Sequence, residues 1–407
     1  MSQNSKIEWT DRTWNPVVGC RACSPGCAHC YAETMSNRLA AMAKKDIADG
    51  KDPGRKRGYL NVIQDGGWRG NVQTVPEALG DPLKWRSPQK VFVNSMSDLF
   101  YGDDADRRAC ESKGIPFEPV PFEFIDQVFA VMALTPRHTY QILTKRTGRM
   151  AEYTSDPTMP GRIYRLINDW LDDGEGGFLG KYYDEAHNVT GWRTEGDPTE
   201  PEWILPLPNV WLGTSVENQA MADKRIPELL QVPAAVRFLS CEPLLGLVDL
   251  SQYLRARQCS QCGQEWDAAA CGPTHAALKN DPGIHWAIVG GESGPGARPM
   301  HPDWARSIRN QCVAAGVPFF FKQWGEWAPG ENAENPSTRT EQTATWFDDR
   351  WQLGTLTPKQ SEELHYEDQP ALFRLGKKSA GRLLDGRTWA ELPTVKTQAE
   401  TISTARD

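Results

Sequence analysis

The amino-acid sequence predicts an α/β protein built on a partial or complete (β/α) barrel. Seven short apolar segments, each bounded by turn residues, predict buried strands and alternate with segments of helical spacing. Strands that are apolar on both faces are typical of parallel sheets covered by helices. A doubly wound sheet is the alternative. The predicted strands are WNPVVG (14–19), KVFVNS (90–95), TYQILT (139–144), NVWLGTS (209–215), VRFLS (236–240), WAIVGG (286–291) and VPFFFK (317–322).

Two of the intervening segments show clear helical spacing. FEFIDQVFAVMALT (122–135) places its largest apolar residues on one face. HPDWARSIRNQCVAAG (301–316) begins with Pro302 and closes on Gly316, which agrees with the usual start and stop signals of a helix. Strand–helix–strand alternation of this kind favours parallel strands.

Breaks in the alternation suggest the domain boundaries. The predicted barrel covers residues 1–253 and 286–327. Residues 254–285 contain a second group of cysteines and are predicted to form a small zinc-binding insertion. Residues 328–407 are predicted to form a C-terminal extension. A polar stretch at 151–208 predicts a further insertion that is partly without regular structure.

Composition and charge restrict the class of protein. The 407 residues are 39% apolar, which is enough to bury a large core. The net charge of −8 argues against a protein that coats duplex nucleic acid, whose surface is usually basic. No apolar run reaches the length of about 18 residues that a membrane-spanning helix needs, and the N-terminus lacks the layout of a signal peptide. The sequence therefore predicts a cytoplasmic protein with no membrane partner.

Polar residues follow nearly every predicted strand. In barrels the carboxyl ends of the strands carry the active site, so this recurrence predicts a binding site there. Carboxylates at such a site can hold ribose hydroxyls or act as acids and bases, and cations can bind a carboxylate or a phosphate. No single residue is predicted to be catalytic. The predicted cofactor-binding residues are Ser95, Asp98, Lys145, Arg146, Ser215, Glu217, Glu242, Gly290, Gly291 and Glu292.

Four cysteines, Cys20, Cys23, Cys27 and Cys30, lie close together after the first predicted strand. From Cys23 onward the spacing is CxxxCxxC. Three thiolates on one loop can hold three irons of a [4Fe–4S] cluster and leave the fourth iron open. The alternative is a zinc site that uses all four thiols. Zinc sites of this kind usually pair two CxxC units, and only one is present here, so the spacing favours the cluster.

With this loop after its first strand, the chain resembles the radical S-adenosylmethionine (SAM) superfamily. Longer blocks resemble a bacteriophage-encoded three-Cys-motif family of unknown function, from about residue 6 to residue 393. The resemblance implies a barrel of the radical SAM type and a reducible cluster whose open iron binds SAM. The blocks are KIEWTDRTWNPVVGC, SPGCAHCYAE, VFVNSMSDLF, LTKRTGRM, PNVWLGTSVENQ, RFLSCEPLLG, VGGESGPGARPMHPDW, GVPFFFKQWGEW and GKKSAGRLLDGRTW.

The resemblance leaves two choices for the third cluster ligand. In the phage-encoded family the three cysteines match Cys20, Cys27 and Cys30. The spacing of the wider superfamily selects Cys23, Cys27 and Cys30 instead. Cys20 is preferred, and the choice between it and Cys23 stays open.

The superfamily also suggests where SAM binds and which partners are needed. Its members bind the amino group of SAM near a GGE-like strand end, and Gly290, Gly291 and Glu292 have these letters, although on a late strand. The resemblance further implies a reductant such as flavodoxin. The phage context suggests a nucleotide or nucleic-acid substrate, or a phage-encoded partner protein.

A second group, Cys259, Cys262, Cys271 and His275, has the pattern CxxC…CxxxH. Short inserts with this pattern favour a structural zinc ion, which would supply folding energy to a segment with little core of its own. An auxiliary iron–sulfur cluster and free thiols are the alternatives.

Three functions are compatible with these observations. The favoured one is a radical SAM enzyme that generates a 5′-deoxyadenosyl radical, because the cysteine loop and the polar strand ends coincide. The alternative is a non-catalytic zinc or iron–sulfur protein that binds nucleic acid or another protein. An ordinary barrel enzyme with structural cysteines is the third.

Overall fold

The computed structural model describes residues 5, 7–172, 206–254, 283–330, 340–363 and 371–393. Its centre is a seven-stranded parallel sheet that curls into a half-barrel, an arrangement compatible with a partial (β/α) barrel. The strands lie side by side in chain order, without the reversal of a doubly wound sheet, so that alternative is wrong. The strands are β1 (Arg12–Trp14), β2 (Lys90–Val93), β3 (Thr139–Thr144), β4 (Val210–Ser215), β5 (Val236–Cys241), β6 (Trp286–Gly290) and β7 (Phe319–Gln323).

Strands β2 to β7 confirm six of the predicted strands. The predicted first strand at 14–19 is wrong in its bounds, because the strand of the main sheet is Arg12–Trp14. The parallel strand ends at Trp14, and Val17–Val18 leaves the sheet to pair antiparallel with Gln73–Thr74. Pro16 has no amide hydrogen to donate to the ladder. The Val17 amide instead donates to the side-chain oxygen of Asn94 at 3.3 Å, so the chain turns away from β2.

Helices cover the outer face of the sheet and confirm both predicted helical segments. The core between them contains Ile142 of β3, Leu239 of β5 and Ile308 of the helix at 302–314. Over the described stretches of the chain, the helices are α1 (Tyr31–Ala48), α2 (Tyr59–Val62), α3 (Asp104–Ser112), α4 (Phe122–Ala133), α5 (Thr147–Ser155), α6 (Met159–Asp172), α7 (Gln219–Leu230), α8 (Pro302–Ala314), α9 (Pro358–Glu363) and α10 (Lys377–Ala380).

The inner face of the sheet is filled at its amino-terminal end by a separate aromatic cluster. Trp9 precedes β1 and packs edge-on against Trp286, the first residue of β6, with ring centroids 6.2 Å apart. Trp211 of β4, Phe238 of β5 and Phe320 of β7 belong to the same cluster. Because bulky side chains occupy this end, the polar residues gather at the opposite, carboxyl end of the strands.

A second, antiparallel sheet lies in the predicted C-terminal extension. Its order is β8 (Trp327–Ala328), β11 (Leu372–Arg374), β9 (Glu341–Phe347) and β10 (Arg350–Leu356). The chain then returns to the main sheet, where the Phe321 amide donates to the Trp389 carbonyl at 3.0 Å. The returning segment therefore covers the edge of β7. The domain boundaries inferred from sequence stay predictions.

Two further pairs of short strands are Ile63–Gln64 with Gly67–Trp68, and Leu383–Leu384 with Arg387–Thr388. In the part of the chain that the structure describes, no helix has the length and apolar character to cross a membrane.

A substitution at Gly213, in the middle of β4, tests how tightly the inner face of the sheet is packed. A Cβ there would lie 2.6 Å from both the carbonyl oxygen and a ring carbon of Phe238. We expect Gly213→Ala to lower the free energy of unfolding by about 1–3 kcal/mol, because the overpacked core has to shift. Urea unfolding followed by tryptophan fluorescence measures this change.

The matched control is Gly161→Ala in α6, where a Cβ meets no atom within 4 Å. Alanine is favoured over glycine in helices by up to about 1 kcal/mol, so this variant should lose no stability. Equal unfolding midpoints for wild type and Gly213→Ala would contradict the described packing.

Candidate metal centre

The loop with the four cysteines lies at the carboxyl ends of the strands. Gly19 opens it with a φ of 92°, and a Cβ there would lie 2.5 Å from the Asn71 carbonyl oxygen, so only glycine fits. The loop continues through a short 3-10 turn at Pro25–Cys27. Cys30 is the N-cap residue of α1. Regular structure therefore holds both Cys27 and Cys30.

Lys145, the first residue after β3, contacts the loop directly. Its Nζ donates to Ser24 Oγ at 3.0 Å and to Cys27 Sγ at 3.3 Å. Among the described residues, the Lys145 ammonium forms no ion pair with a carboxylate, and these two atoms are its hydrogen-bond partners. The cysteine loop is thus the main partner of this cation.

One carboxylate and one guanidinium, which follow strands β4 and β6, hold the tip of the loop. Glu217, just after β4, accepts a hydrogen bond from the Gly26 amide through Oε1 at 3.2 Å. Arg298, after β6, donates through Nη2 to the Pro25 carbonyl at 3.0 Å. The same guanidinium forks onto Glu292 at 2.6 and 2.8 Å, which fixes its orientation.

Arg146 holds the start of the loop from within a buried ion-pair network. Its guanidinium pairs with Asp98 at 3.1 Å and with Asp106 at 2.8 Å. The three side chains are between 0 and 6% exposed, so the charges lie out of water. Arg146 also donates to the Arg21 carbonyl at 3.2 Å and to Cys20 Sγ at 3.7 Å.

The four thiols differ in their protonation. The hydrogen bond from Cys23 lowers the pKa of Cys27 to about 3, and the Lys145 ammonium contributes in the same direction against the effect of burial. Burial raises the pKa of Cys20 to about 12 and also raises the pKa of Cys30. The hydrogen bond to Cys27, together with burial, raises the pKa of Cys23. At neutral pH, Cys27 is therefore the thiolate of the group.

The groups around Cys27 are charged as well. Burial opposes the charged form of Lys145, but the Cys27 thiolate and Glu217 raise the pKa of Lys145 above its ordinary value. Burial likewise opposes ionisation of Glu217, but Lys145 and Arg225 lower the pKa of Glu217 below its ordinary value. Arg225 forms an ion pair with Glu217 at 2.9 Å.

Five of the predicted cofactor-binding residues belong to this arrangement. Lys145, Arg146 and Glu217 contact the cysteine loop directly. Asp98 and Glu292 act one step away, each through an arginine with which it pairs.

Glu242 and Gly290 belong to a second polar group on the same rim. Glu242 pairs with Lys322 at 2.6 Å, and both side chains are 15% exposed. A Cβ at Gly290 would lie 3.2 Å from the Glu242 carboxylate, so the glycine leaves room for that side chain.

The remaining three predicted residues have structural contacts in the described part of the chain. Ser95 Oγ donates to the side-chain oxygen of Asn15 at 3.1 Å. The Ser215 carbonyl accepts a hydrogen bond from a guanidinium of α7 at 2.7 Å. Gly291 lies so close to the Trp324 carbonyl that a Cβ would overlap it.

Sequence reasoning missed several partners of the loop. Asp106 lies in the polar start of α3, which looks like an ordinary exposed helix terminus in sequence. Gly296 packs against the ring of His29, where a Cβ would overlap the ring carbon Cε1. Arg225 lies inside α7 and pairs with Glu217, which precedes that helix, and the spacing of the two residues does not indicate this ion pair.

The residues fit a thiolate-ligated cluster in their chemistry. The four thiols are free and half-buried. Within the described ranges, no three His, Cys, Asp or Glu side chains are already arranged to hold a metal ion, so the thiols have to turn toward one point to do so. The Lys145 ammonium would offset the negative charge of thiolate ligands. The second group, Cys259, Cys262, Cys271 and His275, lies outside the described residues.

The low pKa of Cys27 predicts its reactivity in the metal-free protein. A depressed thiol pKa leaves the reactive thiolate present above that pKa, so the alkylation rate of Cys27 by iodoacetamide should be flat from pH 5 to pH 8. The pKa values of Cys20 and Cys30 are raised, so both thiols should be alkylated slowly at neutral pH, and their rates should increase as the pH rises. Mass spectrometry of the alkylated peptides measures each rate.

The variant Cys23→Ala removes the largest contribution to this shift and should slow the alkylation of Cys27 at pH 5. A wild-type rate that climbs about tenfold per pH unit, as for an ordinary thiol, would show that Cys27 is not a thiolate in this range.

Comparison with known proteins gives one family. No curated protein and no solved structure matches the chain. A family model described as "Protein of unknown function (DUF5131)" matches residues 4–393, which is nearly the whole chain and includes the cysteine loop and all the residues that hold it. The protein therefore belongs to the DUF5131 family of proteins of unknown function.

Proposed function

We propose that the protein is an iron–sulfur enzyme of the radical SAM type. It would bind a [4Fe–4S] cluster through Cys27, Cys30 and either Cys20 or Cys23. The observation that carries the proposal is the cysteine loop itself, which charged residues from successive strands hold at the carboxyl rim of a curled parallel sheet. Active sites of parallel barrels are built at this rim.

When bound, a reduced cluster supplies the electron that cleaves SAM to a 5′-deoxyadenosyl radical, which removes a hydrogen atom from the substrate. The chain's own residues prepare the site. Cys27 is already a thiolate and needs no deprotonation to become a ligand. Glu217 and Arg298 fix the backbone between Ser24 and Cys27, which limits the freedom of the loop.

The second polar group offers contacts to SAM or to the substrate. Glu242 and Lys322 are partly exposed, so a ligand with an ammonium, a carboxylate or hydroxyl groups can exchange for their mutual contact. The Glu242 carboxylate fills the space beside Gly290, so a ligand that displaces this side chain gains access to the backbone of β6. Gly291, Glu292, Ser95 and Ser215 would have to act mainly through their backbone or through the residues that they hold.

The substrate proposed for this enzyme is a nucleotide or a nucleic acid, and a phage-encoded protein is a proposed partner. A low-potential electron donor such as flavodoxin would reduce the cluster. We also propose a zinc ion at Cys259, Cys262, Cys271 and His275, and a cytoplasmic location. These proposals rest on the sequence resemblance and on spacing.

Anaerobic reconstitution with iron and sulfide tests the cluster. Wild-type protein should gain a broad visible absorption and about four irons per chain. Cys27→Ala and Cys30→Ala should lose both. Of Cys20→Ala and Cys23→Ala, one should lose the cluster and the other keep it, which identifies the third ligand. Cys312→Ala, which changes a buried thiol of the helical core, is the matched control. Stoichiometric zinc without iron would overturn the proposal.

Release of 5′-deoxyadenosine tests the chemistry. We expect the reduced, reconstituted wild type to cleave added SAM slowly without substrate, and Cys27→Ala to give no product above background, because the loss of one ligand removes the cluster. Liquid chromatography with mass spectrometry measures the nucleoside. A loaded cluster that never cleaves SAM under reducing conditions would exclude a radical SAM activity.

A further inference from the structure

We infer that Lys145 sets the reduction potential of the proposed cluster and makes the cluster easier to reduce. The inference rests on the proposed function. Its observation is the contact of the Lys145 ammonium with Cys27 Sγ at 3.3 Å. Cys27 belongs to both possible ligand sets, so the contact does not depend on whether Cys20 or Cys23 is the third ligand.

The other cations that hold the cysteine loop are balanced by carboxylates. Arg146 and Arg21 share Asp98 and Asp106, at distances of 2.6 to 3.1 Å. Two cations and two carboxylates make that group neutral. Its field at the sulfur atoms is therefore much weaker than that of a single charge.

The same balance holds for the arginines next to the tip of the loop. Arg298 is paired with Glu292 at 2.6 Å, and Arg225 is paired with Glu217 at 2.9 Å. Lys145 differs because, within the described residues, its close partners are a hydroxyl and a thiol sulfur. Among the described cations that contact the cysteine loop, Lys145 is the one without a carboxylate in ion-pair contact.

An uncancelled positive charge beside a ligand sulfur favours the more negative state of the cluster. In the reduction step the external low-potential donor passes one electron to the cluster, no bond breaks and no proton moves. Lys145 is half-buried, so water and salt screen its charge less than that of a surface residue. Hydrogen bonds to the sulfur atoms of a cluster also shift its potential. Charge and hydrogen bond therefore act in the same direction.

A redox titration of the reconstituted, anaerobic protein tests the inference. The electron paramagnetic resonance signal of the reduced cluster reports the ratio of reduced to oxidised protein at each potential. We expect Lys145→Met to lower this ratio about tenfold at a fixed potential, which corresponds to 59 mV for a one-electron couple. Lys145→Arg keeps the charge and should stay within about twofold of the wild type.

Glu217→Gln provides a measurement of opposite sign. Glutamine keeps an oxygen that can accept the hydrogen bond of the Gly26 amide but removes a negative charge near Lys145. We expect this variant to raise the ratio of reduced protein. Because Glu217 is also the ion-pair partner of Arg225, an increase shows that uncancelled positive charge beside the loop favours the reduced cluster, which the inference requires and a merely loosened loop does not predict.

Each outcome separates this inference from the proposed function. Equal potentials for wild type and Lys145→Met, or a lower ratio in Glu217→Gln, would overturn the role of Lys145 and leave the proposed cluster intact. Wild-type protein that assembles no cluster would overturn the proposed function and this inference together.

Discussion

The buried pairing of Arg146 with Asp98 and Asp106 is the interaction on which the position of the cysteine loop depends. It joins the end of β3, the segment after β2 and helix α3 at one point. Removing one member of a buried pair leaves an unpaired charge and typically costs about 3–5 kcal/mol. Arg146 also reaches the Arg21 carbonyl, so the start of the loop is tied to this fixed group.

The two ends of the inner face of the curled sheet carry different kinds of residue. Aromatic residues such as Trp9 and Trp286 fill the end where the strands begin. Charged residues such as Lys145, Glu242 and Lys322 lie at the carboxyl ends of the strands. The strict chain order of the strands brings these ends together along one rim, although the residues are far apart in the sequence.

Much of the fold could be predicted from the sequence, because buried parallel strands are short, apolar and bounded by turns. The first strand was the exception, since WNPVVG has strand composition, but Pro16 and the side chain of Asn94 end the ladder at Trp14. The carboxyl rim was also predictable, whereas the pairing within it was not. Asp106 comes from a polar helix start, and nothing local to it indicates a buried partner forty residues later.

Some of the site residues predicted from the sequence contact the cysteine loop, and others do not. Lys145 and Glu217 were predicted as members of the rim and do contact the loop. Ser95 and Gly291 were predicted for the same reason, but their contacts stabilise the chain itself. Position after a strand selects the rim, and only three-dimensional packing decides which side chains face the loop.

The returning segment that covers β7 has a consequence for biosynthesis. Trp286 packs against Trp9 and donates through Nε1 to the Glu391 carbonyl at 3.0 Å, so it joins residues from nearly opposite ends of the chain. During translation the edge of β7, with Phe319 and Phe321, stays unpaired until Trp389 and Glu391 have left the ribosome. The nascent protein therefore passes through a long, aggregation-sensitive interval in which chaperones have an apolar surface to bind.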